Sequence, residues 1–192
     1  MELSCAGTGG AMTERTRFER LALPHMDAVF NLAFWLLRSR CDAEDAVQDA
    51  YLRAYRGFSA FEGEDIRPWL LRIVRNVAFR KLADHKRSSN VISFDAAVSG
   101  EPAALQVPAD EASAEDMMIG AGERLAVKRA LAELAPIYRE VVVLREIEAM
   151  SYRQIAELAG VPIGTVMSRL ARARGELRKA LTRMREDERN AM

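Results

Sequence analysis

Cysteine, histidine and long apolar runs are all scarce in this chain of 192 residues. Its two cysteines, Cys5 and Cys41, are too few for a disulfide-stabilised scaffold, and we expect reduced thiols. The two histidines, His25 and His85, lack the companion ligands of a metal or nucleophile site. Apolar runs are only a few residues long, whereas a membrane span needs about 20. We therefore expect a cytoplasmic protein with no cofactor, no catalytic site and no membrane insertion.

Strand-like alternation of useful length is also missing, so the predicted fold class is all-α. The front of the chain predicts three helices, roughly at 24–38, 42–58 and 68–87. Asp42 suits an N-cap, and Pro68 suits the first position of a helix. The back predicts further helices, at 123–134 and 137–148, before a helix-turn-helix.

Charge is present in equal numbers of both signs, 28 basic and 28 acidic residues, but its distribution is uneven. Residues 91–123 contain seven acids and no Lys or Arg, whereas 163–185 contain seven basic residues and one acid. The basic segment can neutralise phosphates, so a net charge of zero does not exclude a nucleic-acid partner.

Composition and helix signals together predict two small helical domains joined by an acidic flexible linker. The predicted segments are a disordered leader (1–17), a front domain (18–88), the linker (89–122), a helix-turn-helix domain (123–186) and a short tail (187–192).

The stretch from Met150 to Leu170 is typical of a DNA-reading helix-turn-helix. Ser151 suits the N-cap of its first helix, and Gly160 provides the permissive backbone that ends it. The alternative is an amphipathic surface helix with solvated arginines, but the spacing of Ala156, Gly160 and Val166 favours the helix-turn-helix.

The second helix of this motif divides into an apolar face and a free face. On helical spacing the apolar face carries Val166, Leu170, Ala173 and Leu177, and the free face carries Thr165, Ser168, Arg172 and Lys179. The free face is small where base edges are read and basic further along, which predicts insertion into a DNA groove.

The third front helix divides in the same way. Leu70, Ile73, Val74 and Val77 point to one side, and Arg72, Arg75, Asn76 and Phe79 point to the other. A basic face with an aromatic ring can bind single-stranded nucleic acid. The alternative is a solvated helix face.

At these residues the sequence resembles the extracytoplasmic-function group of bacterial sigma factors, in the sigma-70 family, over nearly all of 21–185. Residues 42–55 are similar to the region that docks on the largest subunit of RNA polymerase. Residues 68–76 are similar to the segment that melts and reads the −10 promoter element. Residues 138–174 are similar to the domain that reads the −35 element as duplex.

The resemblance implies three sets of contact residues. Polymerase contacts are expected at Asp42, Glu44, Asp45, Gln48, Asp49 and Arg53, on a polar stripe opposite Ala46, Ala50 and Ala54. Contacts to the −10 element are expected at Phe61, Trp69, Arg72, Arg75, Asn76, Phe79, Arg80 and Lys81. Contacts to the −35 element are expected at Thr165, Ser168, Arg169, Arg172 and Lys179.

Two further expectations follow from the resemblance. A pocket for a flipped base should lie around Asn76, where a break in the helix would suit it. The acidic linker either runs through the RNA exit path of the polymerase or is a plain tether. The sequence departs from many relatives at Met167, where they carry a basic residue, and we expect an apolar contact to a thymine methyl there.

The resemblance predicts a promoter-specificity subunit without enzymatic activity. Its expected partners are core RNA polymerase, promoter DNA and an anti-sigma factor. An alternative is a decoy that sequesters an anti-sigma factor without binding promoters, but a decoy should lose basic residues such as Arg72, Arg75 and Arg172. A dimeric transcriptional regulator is a weaker alternative, because the front domain has a docking pattern instead of a dimer surface.

Overall fold

In the computed structural model, the described residues are 13–91, the front half, and 114–190, the back half. Within these two ranges the chain forms helices and turns and no strand, so the all-α prediction is confirmed. The helices are α1 (Glu14–Ala22), α2 (Met26–Leu37), α3 (Arg40–Gly57), α4 (Ile66–Val91), α5 (Ala114–Glu133), α6 (Pro136–Val142), α7 (Tyr152–Ala159) and α8 (Ile163–Asn190). Short 3-10 turns occupy Leu23–His25 and Phe58–Ala60.

Two predicted helix starts are wrong, because each helix begins with a side-chain cap upstream of its apolar pattern. The N-cap of α3 is Ser39, whose Oγ accepts a hydrogen bond from the amide of Asp42 at 3.2 Å. Asp42 therefore lies in the first turn, where its charge favours the helix dipole. Helix α4 begins two residues before Pro68, and Asp65 accepts a hydrogen bond from the amide of Arg67 at 2.9 Å.

Helices cross the predicted boundaries of the leader, the linker and the tail. Helix α1 starts inside the predicted leader, one turn before Phe18. The side chain of Phe18 is buried in the core and holds this helix in place. Helices α4 and α5 extend into the predicted linker from both sides, and α8 extends into the predicted tail. The acidic residues within 92–113, and hence the exit-path expectation, lie outside the described residues.

The front half is a helical bundle in which α2, α3 and α4 contact one another. The inner face of α3 is the predicted alanine row of Ala46, Ala50 and Ala54, all buried. Small side chains allow close approach of neighbouring helices, so this row fixes which face of α3 remains outside.

The back half contains an irregular segment that the periodicity of the sequence does not predict. The expected helix 137–148 is α-helical only as far as Val142 and continues as a π-helical segment, Val143–Ile147. Ala149 then adopts a left-handed conformation with φ of 53°, which turns the chain towards α7. Val143 and Leu144 are fully buried, so tertiary packing holds this segment in place.

The two halves share one hydrophobic core, with α2 against α6 and α4 against α7. Arg139 makes polar contacts at this junction and is only 3% exposed. Its Nη1 donates to the carbonyls of Trp35 and Leu36 at 2.8 and 3.3 Å. Its other nitrogens donate to the carbonyls of Leu131, Ala132 and Leu134 at 2.9, 2.8 and 2.7 Å.

These carbonyls lie at the C-terminal ends of α2 and α5, where helix carbonyls have no partner within the helix. One guanidinium thus caps a front helix and a back helix together. Burial, and secondarily the nearby Arg38, lowers the pKa of Arg139 to about 10, so the group is charged at neutral pH. A cation at two helix C-termini also has favourable dipole interactions.

Tyr51 ties α3 to the end of α1, since its hydroxyl donates to the carbonyl of Ala22 at 2.9 Å. Removing the hydroxyl in Tyr51→Phe leaves that partly buried carbonyl without this donor, and we expect a loss of about 0.5–1.5 kcal/mol in the free energy of unfolding. Urea denaturation followed by circular dichroism measures it. Tyr55→Phe is the control, because Tyr55 is 45% exposed; equal losses in both variants would contradict the assigned role of the bond.

Candidate nucleic-acid interface

Helix α7 begins with a complete capping box. The Oγ of Ser151 accepts from the amide of Gln154 at 3.2 Å, and the side chain of Gln154 accepts from the amide of Ser151 at 2.8 Å. Ile155 and Leu158 are buried, and Gly160 ends the helix with φ of 67°. A side chain at that φ would be strained, which explains why glycine stands at the turn.

The turn leads directly into α8, and Pro162 accepts hydrogen bonds from two amides in its first turn. The carbonyl of Pro162 accepts from the amides of Thr165 and Val166 at 2.9 and 3.3 Å. The predicted apolar face is confirmed, with Val166, Leu170 and Ala173 buried and Leu177 half-buried. The structure therefore has the two-helix geometry and an outward face on the second helix.

The five expected −35 residues do not all lie together. Ser168 and Arg172 are exposed, whereas Thr165 and Arg169 are partly buried. The guanidinium of Arg172 lies 5.7 Å from the ring centre of Tyr138 and 3.8 Å from Glu176. These four residues occupy the first turns of α8, and the exposed side chain of Met167 lies among them.

Lys179 is separate from that group. It lies 14 residues beyond Thr165, which is about 21 Å along a helix at 1.5 Å per residue. It is exposed at the edge of a crevice between α5 and α8, lined also by Glu133 and Arg183. Lys179 is therefore well separated along α8 from Ser168 and Arg172.

The face of α4 follows the predicted division. Leu70, Val74 and Val77 are buried and Ile73 is partly buried, whereas Arg72, Asn76 and Arg80 are exposed. The helix runs through Asn76 without a break, so the helical spacing holds along this face. Continuous helical backbone satisfies its own hydrogen bonds, and any base recognition at Asn76 must use side chains alone.

The remaining expected −10 residues have partners inside the protein. The rings of Phe61 and Trp69 lie 5.0 Å apart, and Phe61 also stacks on Phe58. The Nζ of Lys81 lies 3.3 Å from a carboxylate oxygen of Asp45, and therefore borders the expected polymerase contacts on α3.

Arg75 is the most constrained of the expected −10 residues. Its guanidinium lies 4.7 Å from the ring centre of Phe79 and donates to the side chain of Asn76 at 3.2 Å. Its Nε donates to a carboxylate oxygen of Glu140, a fully buried residue of the back half. Burial raises the pKa of Glu140, although Arg75 and Arg169 act in the opposite direction.

The outer face of α3 carries the expected polymerase contacts in one stripe. These side chains, which are exposed or partly exposed, belong to Asp42, Glu44, Asp45, Gln48, Asp49 and Arg53. Asp49 accepts from Arg53 at 2.8 Å, and Glu44 from Arg40 at 2.8 Å. The buried alanine row directs all six side chains away from the core.

Sequence reasoning missed two apolar residues on this face. Leu52 is 58% exposed and Tyr55 is 45% exposed. Together with Phe18 of α1 they line a groove of about 530 Å³ next to Gln48. The signal was present in the sequence as a leucine inside an otherwise polar stripe. Exposed apolar groups beside polar ones are typical of a binding surface.

Comparison with curated proteins identifies relatives of similar sequence. An ECF RNA polymerase sigma-E factor of Escherichia coli is 34% identical over 137 residues, covering 69% of this chain and 70% of the relative. The chain belongs to the extracytoplasmic-function (ECF) sigma factors. Sigma factors act in transcription initiation and are not enzymes, so no catalytic residue is assigned to this one.

Other comparisons agree with this membership. The Sigma-70 region 2 model matches residues 21–88 of this sigma factor, and the Sigma-70, region 4 model matches residues 124–177. SigW, an ECF sigma factor of Bacillus subtilis, is 29% identical over 158 residues, covering 82% of this chain and 84% of SigW. Sigma-H of Pseudomonas aeruginosa is 31% identical over 172 residues, covering 88% of each chain.

Solved structures of similar fold include two protein complexes. The sigma factor RpoE bound to the anti-sigma factor NepR, from Bartonella quintana, has a TM-score of 0.67 and 26% identity, covering 86% of this sigma factor and 97% of that chain. CnrH in complex with the cytosolic domain of CnrY has a TM-score of 0.60 and 25% identity, covering 88% and 90%. No helix in the described ranges of this sigma factor is long and apolar enough to cross a membrane.

Proposed function

We propose that this sigma factor acts in the cytoplasm by binding core RNA polymerase through α3, reading the −35 element with α8 and trapping the melted −10 strand on α4. The observation that carries the proposal is the helix-turn-helix, with its capped first helix, its Gly160 turn and an outward face on α8. Each of the three surfaces has the chemistry that its proposed ligand requires.

The start of α8 suits duplex DNA. A major groove about 12 Å wide admits a helix, provided that the leading residues are small enough for close approach. Thr165 and Ser168 are small, and Arg172 is long, exposed and able to form a bidentate pair with guanine. Met167, 49% exposed, offers an apolar contact to a thymine methyl.

The outward face of α4 suits single-stranded DNA. Arg72 and Arg80 can bind phosphates, Asn76 can bond to a base edge, and Phe79 with Arg75 forms a flat surface for stacking. Flipping a base costs a few kcal/mol, which contacts made only to the melted strand must supply. Placing these contacts on a helix distinct from α8 lets one protein hold duplex and single strand at once.

The outer face of α3 suits a protein partner. Its carboxylates and amide form a polar rim, and Leu52 and Tyr55 supply the apolar centre beside them. Interfaces between proteins commonly combine such a centre with a polar rim. We therefore include Leu52 and Tyr55 among the proposed polymerase contacts.

We also propose an anti-sigma factor as a partner. Both solved structures described above are complexes, and in the Bartonella quintana complex the partner is an anti-sigma factor. Such a protein would inhibit by covering the α3 face or the −10 face. Pull-down with candidate membrane-bound or soluble inhibitors, with Leu52→Glu as a test of the α3 groove, distinguishes these two surfaces.

Transcription in vitro with core polymerase, with and without this chain, on a genomic promoter library tests the proposed function. Start sites that appear only with the chain support it and reveal both promoter elements. Stable binding to core polymerase without initiation at any promoter would contradict it and indicate a decoy.

Two substitutions separate base reading from phosphate binding on α8. We expect Arg172→Ala to weaken promoter binding by about 1–3 kcal/mol and to lose discrimination at one −35 position, because a base contact is removed. We expect Lys179→Ala to weaken binding equally on all sequences and to flatten the salt dependence. Binding is measured on −35 variants at several salt concentrations, with Arg20→Ala on α1 as an exposed control. Uniform losses from both changes would contradict the assignment of Arg172.

A further inference from the structure

Arg172, the proposed base reader of α8, lies against an aromatic ring of another helix. Its guanidinium carbon is 5.7 Å from the ring centre of Tyr138 in α6, within the range of about 6 Å over which an aromatic face attracts a cation. A carboxylate oxygen of Glu176 lies 3.8 Å from the Nε of Arg172, which is too far for a hydrogen bond. The ring is therefore a neighbour that engages the charge of Arg172 and leaves its N–H groups available.

Arg174, two residues further along α8, is held in a different way. Its Nη2 donates to a carboxylate oxygen of Glu146 at 2.9 Å. A guanidinium bonded in this way has fewer N–H groups left for another acceptor, whereas a ring attracts the cation without using any of its donors. Bidentate reading of guanine requires two donors at once, for O6 and N7. Tyr138 can thus hold Arg172 without competing with a base.

The backbone of Tyr138 is anchored at the start of α6. Pro136 occupies the first position of this helix, where its restricted φ is already helical. The amide of Tyr138 donates to the carbonyl of Ala135 at 2.9 Å, and the next residue is Arg139, which caps the end of α5 in the same half. The ring is partly buried and packs on the hydrophobic core. Tyr138 therefore presents a fixed surface to α8.

A fixed ring beside a long, exposed side chain affects both affinity and specificity. The side chain of Arg172 is 71% exposed, so most of its surroundings are solvent, which does not restrict its rotamers. Ordering a rotamer-rich side chain on binding costs entropy, and a group that is confined beforehand loses less. Confinement also favours the base that offers two acceptors at that one position over bases that do not.

We propose that Tyr138 is a positioning residue for −35 recognition, and that its ring holds the side chain of Arg172 in the orientation that reads one base pair. Tyr138 acts through Arg172 and needs no contact with the base itself. The inference rests on the proposed −35 role of Arg172. Its consequence is that the base preference of α8 depends on a residue of α6, outside both helices of the helix-turn-helix.

Two substitutions at Tyr138 separate the ring from its hydroxyl. We expect Tyr138→Phe to keep the wild-type affinity and base preference, because a phenylalanine ring also attracts a cation. We expect Tyr138→Leu, which keeps an apolar side chain but removes the ring, to weaken binding to the preferred promoter by about two- to fivefold. The same variant should lose discrimination at the −35 position where Arg172→Ala loses it, and at no other position.

Holoenzyme affinity is measured by fluorescence anisotropy on promoter fragments that vary one −35 position at a time. The decisive measurement is Tyr138→Leu in an Arg172→Ala background, where we expect no further loss because the ring has no guanidinium to hold. Tyr152→Leu is the matched control, since it removes another partly buried tyrosine of the back half, one that lies under Arg145. We expect this control to keep the wild-type base preference and its effect to add to that of Arg172→Ala.

A purely structural role of Tyr138 predicts a different pattern. Equal weakening by Tyr138→Leu on every −35 sequence, undiminished in the Arg172→Ala background, would overturn the proposal. Equal losses in the phenylalanine and leucine variants would also overturn it, because the hydroxyl would then be the active group. If Arg172→Ala itself keeps the wild-type base preference, the failure lies in the proposed −35 role of Arg172.

A second readout needs no substitution at Tyr138. Protons held over an aromatic face are shifted upfield by the ring current, so we expect upfield side-chain resonances for Arg172 in the NMR spectrum of the full wild-type chain. Circular dichroism shows whether Tyr138→Leu folds. Unshifted Arg172 resonances in the wild type would overturn the proposal even if the leucine variant does not fold.

Discussion

Replacing Arg139 with alanine is expected to lower the free energy of unfolding by about 3–5 kcal/mol, the usual effect of removing one partner from a buried charged network. The substitution leaves helix-end carbonyls of both halves without donors, among them those of Trp35 and Leu134. A buried acceptor left unpaired costs about 1–3 kcal/mol. Water can reach some of these carbonyls, so the expected total loss is smaller than the sum of the costs of the individual acceptors.

Urea denaturation of the full chain, followed by circular dichroism, measures this loss. Arg139→Lys is an informative second variant, because it keeps the charge but has a single nitrogen with three donors. It cannot reach carbonyls on both α2 and α5, so we expect it to recover only part of the stability. Arg129→Ala removes an exposed arginine of α5 and should stay within about 0.5 kcal/mol of the wild type. A loss below about 1 kcal/mol in Arg139→Ala would contradict the capping role.

The helix-turn-helix could be predicted from the sequence because its signals are local. Ser151 and Gln154 are three residues apart, and Gly160 directly follows the last helical residue. The apolar face of α8 follows from helical spacing alone, and the structure confirms it. Local hydrogen bonds and periodicity suffice wherever a motif is contained in about 20 residues.

The junction could not be predicted for the opposite reason. In the sequence Arg139 and Glu140 belong to a charge pattern that is typical of a solvated helix, whereas both are buried. The carbonyl of Trp35 is 104 residues from Arg139, and Arg75 is 65 residues from Glu140. Contacts at such separations leave no periodicity in one sequence, and main-chain carbonyls leave no residue-type signal at all.

The errors in the predicted helix boundaries come from competing local signals. Ser39 lies outside the acidic stripe of α3, so that stripe favours Asp42 as the cap although a serine three residues earlier fits the same role. The apolar spacing of α4 indicated a helix through Asn76, and the helix is continuous there.

Promoter melting should depend most strongly on Arg72 and Arg75 together. We expect the Arg72→Ala, Arg75→Ala variant to lose about 3–6 kcal/mol of open-complex stability, or about 10²–10⁴-fold, because a hydrogen bond to a charged group contributes about 1.5–3 kcal/mol. The loss of Arg75 also removes a cation from the ring of Phe79, which weakens the stacking surface.

Opening is measured by the fluorescence of 2-aminopurine in the −10 element, using holoenzyme with core polymerase. Duplex −35 binding and core binding should stay near wild type, since α8 and the outer face of α3 are unchanged. Arg20→Ala with Arg129→Ala removes the same charge from exposed sites on α1 and α5 and serves as the control. A general charge effect would reduce melting equally in both variants.

This variant also distinguishes opening of the free chain from the ability to melt a promoter. Substituting Arg72 and Arg75 removes two of the contacts that close the junction, so the free variant should be more open than the wild type. It should nevertheless fail to melt the promoter, because it lacks the two guanidinium groups that are proposed to bind the melted strand. Normal melting by this variant would falsify the −10 assignment of α4, and the single-strand contacts would then have to lie on another part of the front half, with Phe61 and Trp69 as the next residues to substitute.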